Sequence, residues 1–556
     1  MALRTGGELV VAALLAQGTR LAFGVPGESF LAVLDALHDA GDRLRFIVCR
    51  QEGGAAYMAE AYGKLTGRPG VAIVTRGPGA TNAAVGVHTA KQDSTPLLLL
   101  VGQVGTDFSE REAFQEIDYR RMYGHVAKWV GQIDRVERVP EYVAHAFAMA
   151  MNGRPGPVVL ALPEDMLTAT ADVPDPPRVE AVPSAPTAQQ LQRLGALMSE
   201  AQAPLLLVGG GRWSSAACDG LAQFAERTGL PVACAFRRQD LFDNRHEQYA
   251  GDVGISINPK LDQRVRNADL LLVVGERLGE TVTSGYSLLE PPRPHQRLVH
   301  VHPGSDELGR VYQATLAICA DPESFFTAMN AMDLAAQPHW RASARTAHAD
   351  YEAWRAPRPV PGAIDMWSIV RWLDERLPDN AVVTNGAGNF ATWMHRLYRY
   401  RGFGTQLAPY SGSMGYGVPA AVAAKALDPS RVVVSWNGDG CYLMNGQELA
   451  TAVQHDLRIV FVVVDNGMYG TIRMHQERSY PDRVSGTLLR NPDFAALARA
   501  YGAHGETVRT TEQFAPAFER ALNSDRPSVL HVLLDPQALT MSATLDELRA
   551  QGRANK

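Results

Sequence analysis

The chain has 556 residues, enough for several domains, and its 46% hydrophobic and 20% charged residues are the mixture of a soluble globular protein. A net charge of −6 without a Lys/Arg-rich run argues against nucleic acid or an anionic membrane as the main partner, and no apolar run reaches the ~18 residues a bilayer span needs. Five scattered cysteines with no CxxC argue against a disulfide framework or a zinc site and suit a reducing cytoplasm.

In chain order, the short apolar stretch before residue 20 is interrupted by Glu8 and runs straight into a strand-like 21–25, so it reads as a first helix rather than a secretory signal. Strands are expected at 45–49, 71–75, 96–101 and 158–162, with a helix at 53–67. Residues 171–187 are proline-rich and read as a linker. A second alternation follows, with strands at 204–208, 232–235, 270–274, 299–302 and 316–319, then a second linker at 336–364. The last unit has strands at 381–384, 432–434, 459–464 and 529–534. The fold class is α/β: three doubly wound parallel-sheet domains, 1–170, 188–335 and 365–540.

The most informative stretch is 437–466, NGDGCYLMNGQELATAVQHDLRIVFVVVDN. It reads as strand–helix–strand, with Leu443, Leu449 and Val453 among the apolar helix positions. Asp439 lies beyond the first strand and Asn466 beyond the second, 27 residues later. Oxygen ligands at the carboxyl ends of neighbouring parallel strands can converge on one hard cation. Gly438 and Gly440 allow a tight turn, and the helix behind them offers free N–H groups to a phosphate. Gly-Asp-Gly alone marks only a turn; the whole spacing points to a metal-bridged diphosphate. Met468 adds a backbone carbonyl, and water and phosphate oxygens complete the octahedron that Mg²⁺ prefers.

This pattern resembles the thiamine diphosphate (ThDP) fingerprint. RQEGGAAYMAEAYGKLTGRPGVAIVTRGPGATN (50–82), AFQEID (113–118), GRPGPV (153–158) and SGSMGYGVPAA (411–421) resemble the acetohydroxyacid (acetolactate) synthase branch of that family, across the whole chain. The resemblance implies pyrimidine-binding, central and diphosphate-binding domains in that order. It implies that Glu52 drives formation of the reactive ylide, and that Gly27, Pro78 and Asn82 lie near the cofactor. Gly412 and Met414 would hold and wedge its two rings, while Gly388, Asn389, Phe390, Gly438, Gly440, Cys441, Met468, Tyr469 and Gly470 would surround the diphosphate. The metal would be held by Asp439, Asn466 and Met468.

On the substrate side Glu28 and Gln115, with its neighbour Phe114, match pocket positions, and His475 stands where the synthases carry an acceptor-selecting tryptophan. Other departures are Glu164 for a pocket lysine, Ile255-Ser256 for a flavin-site Met-His, and Thr281 for a flavin arginine; Arg154 and Arg277 are kept, and Gly209-Gly210-Gly211 could hold a dinucleotide phosphate. The cofactors implied are ThDP and Mg²⁺, and FAD does not carry over. The activity implied is carboligation or decarboxylation of a 2-oxo acid through an enamine, with 2-oxo acids or aldehydes as substrates. A homodimer or homotetramer is implied, with Glu52 and Asp439 of opposite subunits in one site. Alternatives are a lyase or decarboxylase on another donor, resembling benzaldehyde lyase, oxalyl-CoA decarboxylase or sulfoacetaldehyde acetyltransferase, and a non-enzymatic cofactor-binding regulatory chain.

Overall fold

A computed structural model of the chain describes residues 3–334 and 337–555; the domain boundary expected at 335–336 lies outside them. Three six-stranded sheets, each wholly parallel, follow one another along the chain. The first holds β1 (Leu21–Gly24), β2 (Arg45–Val48), β3 (Gly70–Val74), β4 (Leu97–Gln103), β5 (Trp129–Gln132) and β6 (Pro157–Pro163) in the order 2-1-3-4-6-5. The second holds β7 (Pro204–Val208), β8 (Val232–Ala235), β9 (Tyr249–Val253), β10 (Leu270–Val274), β11 (Arg297–His302) and β12 (Leu316–Cys319) in the order 9-8-7-10-11-12. The third holds β13 (Val382–Asn385), β14 (Gln406–Leu407), β15 (Val433–Gly438), β16 (Val460–Asp465), β17 (His504–Val508) and β18 (Ser528–Leu533) in the order 14-13-15-16-18-17. The first and third sheets therefore share one topology.

Each sheet is buried on both faces, which is why its strands read as continuous apolar runs. In β4, Leu97, Leu99 and Val101 join one core while Leu98 and Leu100 join another. In β16, Phe461 and Val463 face one way and Val460, Val462 and Val464 the other. One core is common to the first and third sheets. It includes Ala55, Ala59 and Tyr62 of the helix Glu52–Thr66, packed against Ala420, Ala423 and Ala424 of the helix Gly417–Leu427. Small residues on both helices let their backbones approach closely.

Several elements differ from the sequence reading. Glu8 does not interrupt the first helix, Gly6–Ala16; it closes a capping box with Thr5. The stretch expected as a second linker contains a helix, Pro338–Trp354, whose Trp340, Ala344, Ala347 and Tyr351 are buried on the second domain. The helix between β15 and β16 is broken into Asp439–Asn445, a tight turn Gly446–Glu448 and Leu449–Gln454, so Leu443 is exposed rather than packed. β15 also runs further than expected, ending at Gly438 itself. The strands β5, β9, β14 and β17 had no clear signal, and each is the edge of its sheet.

Candidate active site

The ends of two strands and the starts of three helices border one cleft of about 850 Å³, its open mouth included. Because the third sheet is parallel, β15 and β16 deliver Asp439 and Asn466 to the same edge. The helices Asn389–Leu397, Asp439–Asn445 and Gly470–Ser479 begin there too, and Asn389, Asp439 and Gly470 all line the cleft. Three helix N-termini give it a positive rim suited to an anion. The floor is made by the absence of side chains. A Cβ at Gly438 would come within 2.5 Å of Phe390, and one at Gly440 within 2.5 Å of Tyr469.

Asp439 is buried, with Oδ1 accepting the Gly440 N–H at 2.9 Å and Oδ2 accepting Asn491 Nδ2 at 2.8 Å. Burial pushes its carboxyl above the ordinary range. Its neighbour Asp465 goes the other way. Burial opposes its ionisation, but hydrogen bonds from His531, Asn491 and the Gly467 N–H outweigh that and hold it below the ordinary value. The loop 466–468 is pinned from outside by Leu489 N donating to Gly467 O at 2.8 Å and Tyr469 N donating to Thr487 O at 2.9 Å. Among the described residues no three of His, Cys, Asp and Glu gather as a metal site. The donor set here is different: one carboxylate, the Asn466 amide and the Met468 carbonyl, on a cleft with room for phosphate and water. That set fits Mg²⁺, and the glycine floor and positive rim fit a diphosphate.

All the expected cofactor and metal residues of the third domain line this cleft: Gly388, Asn389, Phe390, Gly412, Met414, Gly438, Asp439, Gly440, Cys441, Asn466, Met468, Tyr469 and Gly470. Cys441 accepts the Gly415 N–H at 3.2 Å, and burial raises its thiol, which stays neutral. His475 does not line the cleft; it is exposed on the helix Gly470–Ser479, whose Thr471 and Ile472 do line it.

The expected residues of the first domain gather elsewhere, at the carboxyl edge of the first sheet, and none of them lines the cleft. Glu52 opens its helix, and Asn82 Nδ2 donates to Glu52 Oε2 at 2.9 Å. Glu52 Oε1 lies over Gly79, 3.4 Å from where a Cβ would stand. Gln115, at φ 65°, packs on the turn at Gly77, which precedes Pro78; a Cβ on Gly77 would meet Gln115 Cβ at 2.8 Å. Glu28 starts a short turn and is exposed, and Phe114 is 75% exposed. Gly27 packs on Thr75. Glu164 forms an ion pair with Arg76 beside this edge.

Arg154 of the first domain reaches towards the central domain and is fully engaged: with Glu307 at 2.5 Å, Ser94 Oγ at 2.9 Å and Lys91 O at 2.6 Å. The buried carboxylate of Glu276 lies 2.5 Å from a Cβ placed on Gly209, beside the triple glycine. Burial raises its pKa, and the carboxylate oxygens there disfavour a phosphate. Ile255 and Ser256 are exposed.

Sequence reasoning missed three residues that bear on the site. Asn491 joins Asp439 to Asp465. Glu448 accepts the Arg50 and Gln51 N–H groups, each at 3.0 Å, and so holds the turn that presents Glu52. Arg237, fully buried in the central domain, donates to Pro409 O and to Gly386 O, behind the 387–390 loop. Asn491 stands two residues before Asp493, which caps the helix Phe494–Ala500; that cap was the one local signal available.

Three parallel α/β domains and a cleft of this design define a thiamine diphosphate-dependent enzyme. Family models agree: a thiamine pyrophosphate enzyme N-terminal TPP-binding domain matches residues 4–122, the central domain of such enzymes 191–329, and their C-terminal TPP-binding domain 386–532. The chain is 34% identical to acetolactate synthase isozyme 2 large subunit of Escherichia coli over 533 residues, 95% of each chain. It is 31% identical to a probable acetolactate synthase large subunit of Methanocaldococcus jannaschii, over 96% of this chain and 93% of that one. The acetolactate synthase large subunit of Corynebacterium glutamicum is also 31% identical, over 96% of this chain and 87% of its own. The chain belongs to the acetolactate synthase large-subunit family of thiamine diphosphate enzymes.

Proposed function

We propose that the chain is a ThDP- and Mg²⁺-dependent carboligase that removes CO₂ from one 2-oxo acid and joins the remaining acyl unit to the carbonyl of a second, giving a ketol acid. The observation that carries this reading is the cleft itself, where a carboxylate, an amide and a carbonyl meet three helix starts above a glycine floor. Bound there, ThDP supplies the carbon that stabilises the electron pair left by CO₂.

The protein's own part is positional and protonic. Asp439, Asn466 and the Met468 carbonyl hold the metal, and the helix starts at Asn389 and Gly470 hold the diphosphate. Met414, which lines the cleft, would separate the two rings. Asn82 fixes Glu52 Oε2, leaving Oε1 as the atom that shares a proton with the pyrimidine. Gln115 and Glu28 border the substrate. His475 is exposed in the single chain and lies off the cleft.

The separation of the two residue groups supports a shared site. Glu52 of one copy would complete the cleft of another, so the working unit is a homodimer or a larger even assembly. Exposed Leu443, Met444, Ile472 and Leu488 beside the cleft, and exposed Phe114, Leu31 and Val85 in the first domain, are the apolar surface such an assembly would cover. The committed Arg154 and the carboxylate at the triple glycine support a chain that works without flavin. The domains proposed are 1–170, a central domain from 188 that takes in the helix Pro338–Trp354, and 365–540. A cytoplasmic location is in keeping with the five free cysteines, and no described helix is long and apolar enough to cross a membrane.

The test is product analysis with pyruvate, other 2-oxo acids and aldehydes in the presence of ThDP and Mg²⁺. Ketol acid formed together with CO₂ is the expected result. CO₂ without ketol would favour a simple decarboxylase, and ketol without CO₂ a lyase run in reverse.

A further inference from the structure

The segment 487–491 runs across the metal end of the cleft as a strap. Leu488 and Met468 form an antiparallel bridge, and the backbone bonds from Tyr469 and Leu489 stitch the strap to the loop that carries Asn466 and Met468. At its end Asn491 Nδ2 donates twice, to Asp439 Oδ2 at 2.8 Å and to Asp465 Oδ1 at 2.7 Å. The amide can take only this orientation, because a flip would set its oxygen against two carboxylates.

The two bonds join the two strand ends that carry the metal ligands. With Oδ1 on the Gly440 N–H and Oδ2 on Asn491, the Asp439 carboxylate is fixed at both oxygens and cannot rotate. Asp465 takes no place among the expected ligands, yet it shapes their loop through the Gly467 N–H at 2.9 Å, and His531 Nε2 holds its other oxygen at 2.8 Å. The chain of contacts runs from Asp439 through Asn491 and Asp465 to His531. One neutral amide also spreads hydrogen-bond donors between two close carboxylates that would otherwise repel.

We infer that Asn491 is a positioning residue for the metal: it presets the Asp439 carboxylate and the 466–468 loop for a divalent cation and sets its affinity without touching it. This rests on the reading of the cleft as an Mg²⁺–diphosphate site. Partners of metal ligands in such outer contacts are commonly worth about 10–100-fold in metal affinity.

The experiment titrates Mg²⁺, and Mn²⁺ as a paramagnetic probe, into the full-length protein saturated with ThDP, following heat of binding and the Mn²⁺ resonance signal. Asn491→Ala is expected to weaken both ions by about 10–100-fold and to recover turnover when Mg²⁺ is raised. Leu488→Ala, on the same strap but joined to the loop through backbone, is expected to bind as wild type, compared at protein concentrations where sedimentation shows both assembled alike. Asn491→Ser, which keeps one short donor, falls between and serves if the alanine variant does not fold. Wild-type affinity in both Asn491 variants overturns the inference, and so does equal weakening in Leu488→Ala, which would make the strap as a whole responsible. Failure of the wild type itself to bind either ion with ThDP would instead overturn the reading of the cleft.

Discussion

Two carboxyl groups, Glu52 and Glu448, carry the tests at the residue scale. Glu52→Gln is expected to leave ThDP and Mg²⁺ binding intact by calorimetry while slowing hydrogen exchange at the cofactor's reactive carbon by about 10²–10⁴-fold, the usual worth of a positioned acid–base group. Unchanged exchange would remove Glu52 from the chemistry. Glu448 is buried, and that burial pushes its carboxyl up to about 7 despite hydrogen bonds from Thr451 and from the Arg50 and Gln51 backbone. A carboxyl raised in this way stabilises the fold most when protonated. Its contribution is complete below about pH 4.5 and is lost as pH rises through about 7. Glu448→Gln should therefore flatten the fall in melting temperature across that interval; an unchanged pH profile would show that the carboxyl is already ionised when folded. Asp439 and Asn466 were legible from motif spacing, and Glu52 only through the family resemblance. Glu448 and Asn491 were not, because each acts through partners far along the chain: Glu448 on residues 50 and 51, Asn491 on residues 439 and 465.

At the scale of elements, the sequence showed the central strands and hid four of the six edges, β5, β9, β14 and β17. β4, β10 and β16 are apolar on both faces and announce themselves. β17 reads HGETV and β14 is two residues long, so neither carries a periodic signal; the sheet supplies one half of their hydrogen bonds and all of their register. The helix Pro338–Trp354 was hidden by the prolines around it, although Pro338 sits in its first turn, where a missing N–H costs nothing. Trp340 fixes that helix, with its ring in the core of the second domain and its Nε1 donating to Ala201 O at 3.1 Å. Trp340→Ala is expected to cost about 3–5 kcal/mol in denaturant unfolding of the central domain. A loss below 1 kcal/mol on the order-of-magnitude scale of surface changes would mark the helix as a loosely docked linker after all.

Over the whole molecule, the first and third domains share a strand order and meet through one core, while the central domain braces both. Arg237 carries that bracing into the cleft by holding Pro409 and Gly386, so Arg237→Ala should weaken ThDP binding although the residue touches no cofactor. Its loss removes one donor from each carbonyl, while Pro409 O keeps the Gly412 N–H at 3.0 Å and Gly386 O keeps Asn385 Nδ2 at 2.7 Å; wild-type ThDP affinity in this variant would confine Arg237 to stability. The three-domain plan was legible from the alternation of elements and the two proline-rich breaks. Periodicity carries no sign of assembly; the division of Glu52 and Asp439 between two copies was implied by the family resemblance alone and stands as a proposal. That division is the centre of the account, and complementation tests it most directly. Glu52→Gln and Asp439→Ala chains, each inactive alone, are unfolded together and refolded as mixed dimers. If each site takes Glu52 from one copy and Asp439 from the other, about a quarter of the sites are intact and ketol-forming activity returns to that level. If mixing restores nothing, while the wild type refolded in the same way is active, both residues act within one chain and the shared site is contradicted.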